Sequence, residues 1–176
     1  TLKFLKTNKI SFTGIRKKSN NLVSSKIFFI KEFGDVKIAF INYMSLDTNP
    51  CIPKKTNYEA NIFKLNEAKA LINDLKAEVD QIVLLLHWGG RSENFCYPMA
   101  GQVQLGRKLI DAGADLIVGH HSHTVQPFEK YKGKYIFYSL GNFIFSEIFY
   151  EGRMLKRNNF SNKMSCILSV NFRKDS

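Results

Sequence analysis

Two short aliphatic runs in the middle of the chain each break off at histidine. Residues 82–86 read Ile-Val-Leu-Leu-Leu and lead into His87; residues 116–119 read Leu-Ile-Val-Gly and lead into His120, His121 and His123. Unbroken apolar runs of this length suit strands buried on both faces. Between them, residues 100–112 carry Val103, Leu105, Leu109 and Ile110 at helical spacing, and Gly113 stands where a helix would stop. Strand, helix and strand over residues 81–119 make a βαβ unit, which predicts parallel neighbours and an α/β fold. Parallel sheets bind ligands beyond the carboxyl ends of their strands. All four histidines of the chain fall just past that edge.

The flanking sequence extends the same pattern. Residues 1–7 read as an amphipathic helix closed by Asn8, and 10–13 as a short strand. Residues 25–30 and 36–43 read as strands around a Gly34-Asp35 turn. A loop is expected over 47–55, a helix over 58–79 from the spacing of Ile62, Leu65, Ala68, Leu71, Ile72 and Leu75, and a hairpin over 128–131 and 135–140 around Lys132-Gly133. The polar, basic stretch 146–164 reads as a mobile loop and 166–172 as a last strand. At 176 residues the chain suits one domain. No apolar run approaches the ~18 residues of a membrane-spanning helix. Cys51, Cys96 and Cys166 are too few and too scattered for a disulfide framework or a paired-cysteine zinc motif, and read as buried or partly buried free thiols.

The formal charge of +11 divides into +6 over residues 1–35, +2 over 36–146 and +3 over 147–176. The basic surplus sits at the ends, while the histidine-bearing middle is nearly balanced. No basic-and-aromatic module for nucleic acid is present, so nucleic acid is not an expected partner.

Imidazole is the commonest metal-binding side chain. In an extended loop residues two apart point the same way, so His121 and His123 can face one site while His120 faces the other. A two-metal hydrolytic site also needs carboxylates. Asp111 and Asp115 look structural, and Asp47 and Glu93 are loop residues with no signature spacing. The sequence thus shows a histidine half-site without its carboxylate half. Ser139 is not set in a nucleophile elbow, and Trp88 reads as an aromatic packed over the strand end.

Four blocks carry a family likeness: His87-Trp88-Gly89-Gly90; Leu109 to Asp115; Gly119-His120-His121-Ser122-His123; and Tyr138-Ser139-Leu140-Gly141-Asn142-Phe143. In this order they resemble the CapA family of capsule and poly-γ-glutamate synthesis proteins, related to calcineurin-like metallophosphoesterases. The likeness is dense over residues 82–145 and weaker upstream. It implies a layered α/β sandwich and a dinuclear centre of divalent ions (zinc, manganese or iron). By position, His87, His121 and His123 would be metal ligands. His120 stands where the superfamily loop has glycine. It joins Glu93, Gln126, Glu129 and Asn142 as residues expected to touch substrate or to hydrogen-bond the ligands. The loop 91–97 is about two residues longer than the family pattern, with Glu93 in place of its glutamate.

The family's carboxylate and Asn-Asn-His blocks lie upstream of the resembling stretch. The likeness therefore implies that residues 1–176 are the C-terminal portion of one CapA-like domain, inactive alone. The implied activity is metal-dependent hydrolysis of a phosphoester or an anionic polymer. The rival reading is a module that binds metal or anionic polymer without turnover.

Overall fold

A computed structural model describes residues 2–17, 27–48, 57–144, 146–156 and 160–173. At its centre is a six-stranded mixed sheet, in the order β2 (Phe28–Phe33), β3 (Val36–Met44), β5 (Gln81–His87), β6 (Leu116–His120), β8 (Lys134–Phe137) and β7 (Phe128–Tyr131). The inner four strands are parallel and the two edges antiparallel. Two small antiparallel pairs flank it: β1 (Ile15–Lys17) with β4 (Tyr58–Ala60), and β9 (Ile148–Tyr150) with β10 (Arg153–Lys156). Helices α1 (Leu2–Thr7), α2 (Leu65–Leu75), α3 (Ala100–Ala112) and α4 (Phe160–Lys163), with a 3-10 turn at Leu46–Thr48, complete the described elements.

The two-residue period of the strands sorts their side chains between two apolar layers. Ile82, Leu84 and Leu86 of β5 point to the helices with Ile117 of β6 and Ile136 of β8. They meet Ala68, Ile72 and Leu75 of α2 and Leu109 and Ile110 of α3. Val83 and Leu85 point the other way, with Val118, Phe40 and Phe137, against Leu168 and Phe172 of the C-terminal segment. By the same parity His87 and His120 stand on this second face, side by side in the β5–β6 register. Trp88 falls on the helix side.

The structure differs from the sequence reading at several places. The expected helix over 58–79 is shorter, because residues 58–60 pair with β1 and Lys64 is still extended (φ −139°) where α2 begins. The expected loop 146–164 contains the β9–β10 hairpin and the single turn of α4. Residues 166–172 are not a sheet strand. They leave an isolated bridge between Gly141 and Ser165 and run over the second face, where Leu168 and Phe172 cover the sheet without joining its ladder. The early strand falls at β1 instead of 10–13. Cys96 and Cys166 are exposed rather than buried, while Cys51 lies outside the described residues. Gly113 closes α3 in the left-handed region, φ 114°, as read.

One core residue is under-satisfied. Tyr43 is buried on β3, and its hydroxyl has no hydrogen-bond partner among the described residues; burial, then the charge of Glu67, pushes its pKa up to about 12. A buried donor without a partner costs about 1–3 kcal/mol. Tyr43→Phe is therefore expected to hold stability or raise it by about 1 kcal/mol, read as the urea midpoint. A loss of similar size would show that the hydroxyl has a partner after all.

Candidate metal centre

The carboxyl edge of the parallel strands is where the chain concentrates its chemistry. Met44 of β3 lies in register with His87, and His87 with His120. The backbone then turns: Ser45 N–H donates to His87 O (2.9 Å) and Trp88 N–H to His120 O (3.3 Å). All four histidines, with Asn142, Phe143 and Ile144, line one open pocket of about 360 Å³. Behind it Trp88 is a wall of the core. Its Nε1–H donates to the Tyr138 carbonyl at 3.1 Å, and its ring stacks on Tyr138 at 5.8 Å. Asp111 pairs with Lys132. Asp115 accepts from the Ile82 amide and pairs with Lys134 at the opposite end of β6. Both carboxylates are structural.

Hydrogen bonds fix which nitrogen of the His121 and His123 rings faces the pocket. His121 Nε2 is 2.7 Å from the Gly90 carbonyl, which can only accept, so Nε2 carries the proton and the lone pair of the neutral ring is on Nδ1. That Nδ1 lies 3.1 Å from His87 Nε2. Asn142 Nδ2 donates to the carbonyls of His123 (3.3 Å) and Asn162 (3.0 Å), which leaves Asn142 Oδ1 to accept from His123 Nδ1 at 2.7 Å. His123 therefore carries its lone pair on Nε2. Burial, followed by repulsion from His121, His120 and His123, holds the His87 pKa below the ordinary histidine value, with Glu93 opposing. A neutral ring is the form that can bind a metal.

Backbone strain gathers here as well. His121 (φ 117°) and His123 (φ 59°) both occupy the left-handed side of φ. Such residues persist only where their surroundings hold them, and they cluster at functional sites.

The donor set suits a divalent ion. Two imidazole nitrogens on one zinc, each about 2.0–2.1 Å from it, lie about 3.3 Å apart. The 3.1 Å between His87 and His121 is close to that separation. His121 and His123 each give the other ring N–H to an oxygen, the pattern that orients metal-binding histidines. Among the described residues, however, no group of three or more His, Cys, Asp or Glu side chains converges on one point as it would around an ion. His120, exposed at the end of β6, and His123 line the pocket without joining the His87–His121 contact.

The remaining expected site residues separate. Asn142 holds His123, and the Glu93 charge is felt at His87. Gln126 is buried and pins the loop before α3, with Nε2 donating to the carbonyls of Phe95 (3.0 Å) and Tyr97 (3.1 Å). Glu129 is turned to Arg107 and to the Tyr138 hydroxyl, not to a histidine. Two residues not singled out from sequence come to the edge. Asp47 lies against Gly90, whose carbonyl holds His121. Asn162 of α4 reaches the His123 carbonyl.

Residues 1–147 match the family described as bacterial capsule synthesis protein PGA_cap. The PGA biosynthesis protein CapA of Bacillus subtilis is 48% identical over 77 residues, 44% of this chain and 20% of that protein. The capsule biosynthesis protein CapA of Bacillus anthracis is 47% identical over 72 residues, 41% of this chain and 17% of that one. The matched stretches thus span a fifth or less of those relatives. Among solved structures, a 5'-nucleotidase precursor of Thermus thermophilus superposes with TM-score 0.54 at 20% identity, over 79% of this chain and 29% of that one. The sulfate thiohydrolase SoxB of the same genus superposes with TM-score 0.55 at 18% identity, over 80% and 24%. The fold is the layered α/β arrangement of calcineurin-like phosphoesterases.

Proposed function

Because this chain belongs to the bacterial capsule synthesis protein family, we propose that it supplies the histidine half of a divalent-metal centre in a hydrolase of capsule or poly-γ-glutamate metabolism. The observation that carries the reading is the His87–His121 pair, with two nitrogens 3.1 Å apart and His121 fixed by the Gly90 carbonyl. His87 Nε2, His121 Nδ1 and His123 Nε2 would hold the metal: zinc, manganese or iron. When bound, such an ion lowers the pKa of a water and stabilises the oxyanion that develops at a phosphoryl or acyl centre.

The chain's own residues do the rest. Gly90 O and Asn142 Oδ1 keep the proton on the ring nitrogens that face away from the metal position. Trp88, locked to Tyr138, shields the rear of the site from water. His120, in register with His87 on the pocket wall, would meet the anionic group of a phosphoester or polymer substrate. On this reading residues 1–176 would be a portion of one CapA-like domain, and carboxylate ligands would come from outside the described residues.

One observation favours a second reading, a module that binds metal or anionic polymer without turnover: no carboxylate among the described residues converges with the histidines. The two separate in one assay. Full-length protein stripped of metal and then reloaded with zinc or manganese is expected to hydrolyse bis(p-nitrophenyl) phosphate or poly-γ-glutamate only when loaded. Stoichiometric metal uptake with no turnover of either substrate would favour the binding module.

A further inference from the structure

We propose that Asn162 is a positioning residue for His123, tying the metal site to the C-terminal part of the chain. The inference rests on the reading of His123 as a ligand. Asn162 is buried in α4, a single polar turn. Its Nδ2 donates to Asn94 Oδ1 (2.8 Å) and to His123 O (3.0 Å), and its own carbonyl accepts from Asn142 Nδ2 (3.0 Å). Asn142 in turn donates to His123 O (3.3 Å) and accepts from His123 Nδ1 (2.7 Å). Four segments close on one residue: the loops after β5, β6 and β8, and α4.

The geometry gives this ring of amides a specific task. His123 has φ 59°, a conformation unfavourable for a residue with a Cβ. Its carbonyl is the group whose direction changes if that conformation relaxes. Two side-chain N–H groups hold that carbonyl, and Asn162 provides the shorter bond. Asn142 fixes the imidazole; the Asn162 side chain fixes the peptide that carries it, while the Asn162 backbone carbonyl holds Asn142. Without the Asn162 amide, His123 O loses the shorter of these two bonds, and the peptide that aims the ring is held less firmly.

The test is a zinc titration of the full-length protein with four forms: wild type, Asn162→Ala, His123→Ala and the double variant. Asn162→Ala is expected to weaken zinc binding about 10–100-fold. The double variant should bind within about twofold of His123→Ala alone, since residues acting through one group are not additive. Cobalt-loaded Asn162→Ala should show the visible spectrum of cobalt-loaded His123→Ala. In the metal-free protein, long-range 1H–15N NMR should find His123 as the Nδ1–H tautomer in wild type and as a tautomer mixture in the variant. If Asn162→Ala does not fold, Asn162→Asp keeps the shape and replaces the donor with an acceptor, and the same losses are expected. A variant that only melts earlier, with zinc affinity and the His123 tautomer unchanged, would overturn the proposal. If the wild type binds no zinc, the ligand reading fails, and the tautomer measurement still decides whether Asn162 positions His123.

Discussion

Replacing His121 in the full-length protein is expected to lower its affinity for zinc or manganese at least ~100-fold. Removing a hydrogen-bonding partner behind a metal ligand already costs about 10–100-fold, and a ligand itself should cost more. The imidazole removed is the better held of the facing pair, with Nε2 on the Gly90 carbonyl and Nδ1 3.1 Å from His87 Nε2. His121→Gly is the cleaner substitution, because φ 117° strains any side chain and glycine relieves it. Metal affinity should therefore collapse while the thermal midpoint holds within a few degrees. Calorimetric titration of zinc into the stripped protein, beside a melting curve of the same sample, checks both. Unchanged affinity would remove His121 from the ligand set.

The second large effect is on stability and sits one residue before the histidine loop. Gly119 ends the apolar part of β6, where the chain passes close to both β8 and Trp88. A Cβ there would run into the Tyr138 carbonyl oxygen and the Trp88 indole nitrogen, the two ends of a buried hydrogen bond. Neither can swing aside: one is backbone, and the other belongs to a ring buried against the core. Gly119→Ala is expected to cost about 3 kcal/mol, at the upper end of overpacking penalties. For a chain of this size that is a drop of about 6–12 °C in thermal midpoint. Because the strand end carries His120 and the turn into His121, metal affinity should fall with it. A midpoint within about 2 °C of wild type would show that β8 can retreat.

The βαβ unit and the gathering of the histidines were legible because both rest on short-range rules. Residues 82–86 and 116–119 are apolar without interruption, and the chain places each histidine by where those runs stop. What was not legible depends on which surface a segment meets. Residues 166–172 have the inward Leu168 and Phe172 of a strand, but burial alone does not tell a strand joined to a sheet from one laid across its face. Tyr58 stands four residues before Ile62 and so extends the helical spacing, and only the pairing with β1 makes residues 58–60 a strand. Gln126 and Glu129 have the residue types that support a metal site, yet one turns to backbone carbonyls and the other to Arg107. Asn162 lies in a basic, polar stretch with no period to mark it, and its importance comes from what the fold closes around it. Asp47 was set aside for lack of a spacing signature; β3 ends beside β5 and brings it to Gly90.

On the proposed reading, His87, His121 and His123 together hold a divalent ion at the ends of β5 and β6. An anomalous-scattering map from a zinc-loaded crystal of the full-length protein tests it most directly. The expected result is a peak about 2.0–2.1 Å from His87 Nε2 and His121 Nδ1, with His123 Nε2 turned to the same ion. A map with no peak there, and with the His87–His121 pair intact as an N–H···N hydrogen bond, would contradict it.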